Sequence, residues 1–130
     1  MIENKKVLLI VDDPNTLNYI LKTIQNTEYD IKAITSNDRV LEFIDQNCPD
    51  IILIDDVLDK TDCVYLSKLI KDKNLDKAIQ ILFIFNDISK WLNRDAWKCF
   101  DNTLVMPFTI DDFLLQVDKK SASHVTHWII

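Results

Sequence analysis

Glycine is missing from the 130 residues of this chain, and proline and cysteine occur only three times each. Without glycine, no Gly-rich loop can bring backbone amides close around a phosphate, which removes nucleotide binding of the P-loop or dinucleotide type. Helices also lose their preferred left-handed terminator. Asn26, Asn47, Asn74 and Asn102 each follow an expected helix, and asparagine is the next-best residue for that conformation. Long hydrophobic runs are lacking too. Runs such as Val7–Val11 and Ile51–Ile54 fall far short of the roughly 18 residues of a membrane span. The opening Met1-Ile2-Glu3-Asn4-Lys5-Lys6 is too polar and acidic for a secretory signal. A cytoplasmic protein without a membrane partner is expected.

Cys48, Cys63 and Cys99 are odd in number and share no metal-ligand spacing. In a cytosolic setting they read as reduced, small hydrophobes. Positive charge is the scarcer sign: 15 Lys and Arg stand against 21 Asp and Glu, a net charge of −6. That balance argues against a nucleic-acid backbone as partner and suits cations or basic protein surfaces.

What is present is a fivefold alternation of strand and helix signals in a chain of one-domain length. Val7–Val11 is a continuous apolar run, the pattern of a strand buried on both faces. Pro14 opens a helix carrying Leu17, Ile20, Leu21 and Ile24 on one stripe. Ile31–Ile34 reads as a second strand, and Ser36 or Asn37 as the cap of a helix with Val40, Leu41 and Ile44. Pro49-Asp50 precedes a third strand, Ile51–Ile54, and Leu66, Leu69 and Ile70 mark a third helix. Ile79–Phe85 is the fourth strand, with Gln80 its single polar residue. Ser89 can cap a helix with Leu92, Ala96 and Cys99. Thr103-Leu104-Val105 is a brief fifth strand, and Thr109 with Asp112 forms a capping box before the last helix.

This order predicts an α/β fold: a five-stranded parallel sheet with helices on both faces and right-handed crossovers. Residues 1–120 form the expected domain, and 121–130 a tail or the start of a linker. In such sheets ligands gather at the carboxyl ends of the strands. Two of those ends carry paired acids, Asp12-Asp13 and Asp55-Asp56. A single strand-end aspartate is ordinarily a helix cap or a solvated loop residue. Two pairs at central strand ends point instead to a site. Asp12, Asp13 and Asp55 are expected to converge, and three close carboxylates repel unless a cation such as Mg²⁺ sits among them.

At this point a family resemblance appears. Val7-Leu8-Leu9-Ile10-Val11-Asp12-Asp13 resembles the opening of the receiver domains of two-component response regulators. Pro49-Asp50-Ile51-Ile52-Leu53-Ile54-Asp55 resembles their segment ending in the phosphorylated aspartate, and Met106-Pro107-Phe108 falls on their Lys-Pro-Phe. The likeness runs from Lys5 to about Lys119. It implies a flavodoxin-like, CheY-like fold and a role in phosphorelay signalling, with Asp55 as phosphoacceptor. Mg²⁺ would be held by Asp12, Asp13, Asp55 and the carbonyl of Val57. Asp56 is the second choice of acceptor, its side chain expected on the opposite face of the strand. The implied partner is a sensor histidine kinase or phosphotransfer protein. The domain would be a phosphoacceptor rather than a turnover enzyme, although it could lose its own phosphoryl group to water.

Several family features are replaced. Met106 stands in place of the lysine that neutralises phosphoryl charge. Asn86, or Phe85 if the register slips by one, takes the switch Thr/Ser position. Thr103 replaces the switch aromatic, and Asp59 and Cys63 replace the loop's Pro and Gly. The expectation is that Mg²⁺ binding survives while phosphorylation is slow or its readout altered. Two other functions compete. One is a pseudo-receiver that binds proteins without phosphorylation. The other is a Mg²⁺-dependent phosphohydrolase with an aspartate nucleophile, disfavoured because Pro14 occupies the place of its second acid.

Trp91 and Trp97 lie six apart on the fourth expected helix, so they cannot share one face. One of them suits a partner surface, since receivers use this helix with the next strand and helix to form homodimers; a tryptophan covering its own core is the plainer alternative. His124 and His127 have helical ligand spacing, which two histidines in a tail satisfy without binding metal.

Overall fold

Val7, Leu8, Leu9 and Ile10 are branched apolar residues with nothing polar between them, so the strand they form needs cover on both faces. A computed structural model describes residues 5–73, 78–87 and 102–122, with side chains through 118, and provides that cover. The elements are β1 (Lys6–Ile10), α1 (Pro14–Ile24), β2 (Asp30–Ile34), α2 (Val40–Asn47), β3 (Ile51–Asp55), α3 (Cys63–Asp72), β4 (Gln80–Phe85), β5 (Asn102–Val105) and α4 (Ile110–Ala122). The strands form one five-stranded sheet in the order β2-β1-β3-β4-β5, and every pairing is parallel. The expected α/β architecture is the one found. The expected helix with Trp91 and Trp97 lies outside the described residues, as do His124 and His127.

Alternation along each strand divides the core in two. Leu8, Ile10, Ile52, Ile54, Phe83 and Phe85 face α2 and α3, meeting Ile44, Leu66 and Ile70. Val7, Leu9, Leu53 and Leu82 face α1 and α4, meeting Ile20, Ile24, Phe113 and Val117. Burying a side chain of this size contributes about 1.5–3 kcal/mol, so both layers are needed to hold the sheet. The polar Gln80 is accommodated by donating its side-chain amide to the carbonyl of Gln116, at 3.2 Å. Asn102 donates to the same carbonyl at 2.9 Å.

Helix ends follow the sequence in part. Asp13 caps α1 through Thr16, with Pro14 in the first position. Asp62 caps α3. The Thr109–Asp112 box forms as expected, with reciprocal bonds of 2.9 and 3.1 Å. Ser36 does not cap α2, which starts after Arg39 with no side-chain cap; the serine is occupied elsewhere. Among the described residues no asparagine takes the left-handed position, and Asn74 lies outside them. Cys48 takes that position, with φ 46°, one residue beyond Asn47. Asn47 stays helical and donates its side-chain amide to the Phe43 carbonyl at 2.9 Å.

Candidate functional site

Strand order decides which acids can meet. β1 lies beside β3, with Ile10 opposite Ile54, and β3 lies beside β4, with Asp55 opposite Ile84. The segments after Ile10, Asp55 and Phe85 therefore emerge along one edge of the sheet. Asp55 is the last residue of β3 and is 1% exposed. The side-chain amide of Asn86 donates to Asp55 at 2.6 Å and to Asp56 at 2.6 Å. The Asn86 backbone N–H adds a 3.2 Å bond to the second Asp56 oxygen. The Val57 N–H donates to Asp55 at 3.4 Å.

Burial pushes the Asp55 carboxyl up to about 7, and its hydrogen bond with Asp56 acts in the same direction; the Val57 N–H and the Asn86 amide oppose them. Two carboxyl groups this close favour sharing one proton. The sequence reading put Asp56 on the opposite face. Asp56 instead follows the last residue of β3, where strand alternation no longer applies, and it turns to the same Asn86 as Asp55.

The other two acids are engaged separately. Asp12 accepts the Ser36 N–H at 2.6 Å, the Asp59 N–H at 2.6 Å, and the Ser36 hydroxyl. Burial acts to raise its carboxyl, but the bonds from Ser36 and Asp59 prevail and hold it below the ordinary 3.8. Asp13 is exposed, and one of its oxygens accepts both the N–H and the hydroxyl of Thr16 at 2.9 Å. Those two bonds keep its carboxyl below the usual range.

Asp12, Asp13 and Asp55 are thus each engaged with different partners in this structure. Among the described residues, no group of three or more His, Cys, Asp and Glu is arranged to hold a metal ion. Both oxygens of Asp12, one of Asp13 and one of Asp55 already accept hydrogen bonds. Val57, whose carbonyl was to complete the set, is 57% exposed. The donor set as arranged does not fit magnesium.

Of the two switch alternatives, Asn86 reaches Asp55, whereas Phe85 packs edge-on against Phe83 at 4.5 Å in the core. Met106 is half-buried against the α1–α4 layer and brings no charge to the edge. Thr103 lies in β5 opposite Phe83 and is half-buried. Cys63, in the place of the family glycine, is buried, and burial pushes its thiol up to about 12. Sequence reasoning missed Ser36 as a partner of Asp12. Nothing local signals that contact, which spans 24 residues. It also missed the Asp55–Asn86–Asp56 group, although the adjacent acids were in view.

No family model matches the sequence, and no curated protein matches it either. Solved structures do match. The receiver domain of a sensor histidine kinase from Pseudomonas aeruginosa, with magnesium in its active-site cleft, superposes with a TM-score of 0.79 at 14% identity, covering 90% of this chain and 97% of that one. A response regulator from Chloroflexus aurantiacus gives 0.78 at 22% identity, covering 90% and 97%. A response regulator from Thermotoga maritima in complex with Mg²⁺ and beryllium fluoride gives 0.76 at 19%, covering 88% and 97%. At these identities the likeness is one of fold. The chain has the CheY-like receiver fold of response regulators.

Among the described residues, no helix is long and apolar enough to cross a membrane.

Proposed function

We propose that the chain is a degenerate receiver module of two-component signalling, in which Asp55 accepts a phosphoryl group slowly. The observation that carries this reading is the buried Asp55 carboxyl at the carboxyl edge of the sheet, with the Asn86 amide 2.6 Å away. The donor is a phosphohistidine on a sensor histidine kinase or phosphotransfer protein. An ionised Asp55 oxygen attacks phosphorus, an O–P bond forms, and the N–P bond to histidine breaks. Water later cleaves the acyl phosphate, so the domain turns over nothing but itself. Asn86 is the neutral donor that can follow the charge onto the phosphoryl oxygens.

Two features slow the step. Near neutral pH, Asp55 is only partly ionised, because burial and Asp56 favour its protonated form. Met106 supplies no counter-charge. Magnesium supplies that charge in receivers that hold it. Here Asp12 and Asp13 are bound to other groups, and weak cation affinity is expected.

A second reading, the phosphorylation-independent pseudo-receiver, is favoured by one specific observation: the Asn86 amide already holds Asp55 and Asp56 together. Incubation with acetyl phosphate and Mg²⁺ followed by intact-mass measurement separates the readings. A slow mass gain lost in Asp55→Asn supports the degenerate receiver. Rapid stoichiometric gain defeats the degeneracy, and no gain over hours selects the pseudo-receiver.

A further inference from the structure

Asp12 is the residue whose surroundings depart furthest from the expected site. It follows β1 and Val11, yet its carboxylate gathers donors from two distant loops. Ser36 belongs to the β2–α2 connection and contributes both its N–H and its hydroxyl. Asp59 belongs to the β3–α3 connection, 47 residues away, and contributes its N–H. The network closes on itself, since the Lys60 N–H donates to the Ser36 hydroxyl oxygen at 3.2 Å. Ser36 is 2% exposed, so water does not compete freely for it. A carboxylate accepting several N–H and O–H bonds is a strong anchor for the backbone that supplies them.

We propose that Asp12 is a positioning residue rather than a cation ligand: with Ser36 it forms a latch that holds the β2–α2 and β3–α3 loops together across the carboxyl edge of the sheet. The latch has a visible consequence. Asn37 and Lys60, each next to a latch residue, line a cavity of about 480 Å³ walled by Leu41 and Leu66 from α2 and α3. Its lining draws on both of the loops that Asp12 joins, through Asn37 and Asp38 on one side and Lys60 and Thr61 on the other. The inference rests on geometry alone and stands whether or not Asp55 accepts a phosphoryl group.

Hydrogen exchange on the full chain tests it, with Asp12→Ala and Ser36→Ala compared with wild type. In Asp12→Ala the Ser36 and Asp59 amides should exchange at least about tenfold faster, each having lost one charge-assisted bond, and in Ser36→Ala the Lys60 amide, which loses its hydroxyl acceptor, should exchange faster. Amides within β1 and β3 should keep their protection. Because Ser36→Ala removes only a hydroxyl, it remains informative if Asp12→Ala folds poorly. Unchanged exchange at the three loop amides overturns the latch.

A Mg²⁺ titration by calorimetry supplies the readout that a merely structural role would not move. If wild type binds, Asp13→Ala should weaken binding while Asp12→Ala leaves it unchanged or tighter; absence of binding in wild type also agrees with the proposal. Equal loss of affinity in Asp12→Ala and Asp13→Ala, with loop protection intact, overturns it. Failure of acetyl phosphate labelling bears on Asp55 only and leaves the latch standing.

Discussion

The side-chain amide of Asn86 lies 2.6 Å from a carboxylate oxygen of Asp55 and donates to it from the far side of the β3–β4 pair. That bond opposes the burial that pushes the Asp55 carboxyl upward. Replacing Asn86→Ala removes it along with the bond to Asp56. Stability should fall by about 1–3 kcal/mol, the range for stranding a buried polar group. The loss should be larger at pH 8 than at pH 5, because the amide stabilises the ionised form. Urea unfolding at the two pH values measures both effects.

The same carboxyl predicts an unusual pH profile. Its folded-state value of about 7 lies above the ordinary 3.8. A group raised on folding contributes stability that is fully present below the ordinary value and is lost as pH climbs through the folded one. Stability should therefore decline between about pH 4 and pH 8 by a few kcal/mol. Asp55→Asn should flatten the decline. A wild-type curve that rises over this interval would contradict the buried, proton-sharing pair.

Charge at the edge can be restored at one position. Met106 is half-buried against the α1–α4 layer, and its backbone N–H is fixed by the Phe85 carbonyl at 2.9 Å. A lysine there can pack its methylene stem in the same place and extend its ammonium to the rim. Met106→Lys should speed acetyl phosphate labelling of Asp55 severalfold with little change in thermal midpoint. An unchanged labelling rate would locate the block in the Asp55–Asp56 pair instead.

A chain without glycine must place an ordinary residue where the backbone turns left-handed, and it does so at Cys48. The left-handed conformation costs a residue with a Cβ roughly 1–2 kcal/mol. Cys48→Gly relieves that strain but loosens the unfolded chain, so a net gain of about 0.5–1 kcal/mol is expected. Chemical denaturation reads it directly.

The architecture was legible because strands and helices differ so plainly in period here. Uninterrupted runs such as Val7–Ile10 and Ile51–Ile54 could only be central strands, and their burial follows. Local capping was legible at Thr109–Asp112, whereas the cap that Asp13 forms on α1 was set aside for a metal role. The site was legible in position but not in bonding. Which donor satisfies Asp12 depends on a serine 24 residues away and an amide 47 residues away, and no periodicity encodes such a meeting. Asp56 was misjudged for a related reason, since strand alternation was extended one residue past the end of β3.

One carbonyl near the end of the chain ties the sheet to its last helix. The Gln116 carbonyl receives the side-chain amides of Gln80 and Asn102, residues at the starts of β4 and β5. A chain cut before Gln116 would leave both amides without that acceptor while also stripping Val117 from the α1–α4 layer. Its product should be an aggregating fragment instead of a smaller working domain, so any shortening at the carboxyl terminus has to stop beyond α4.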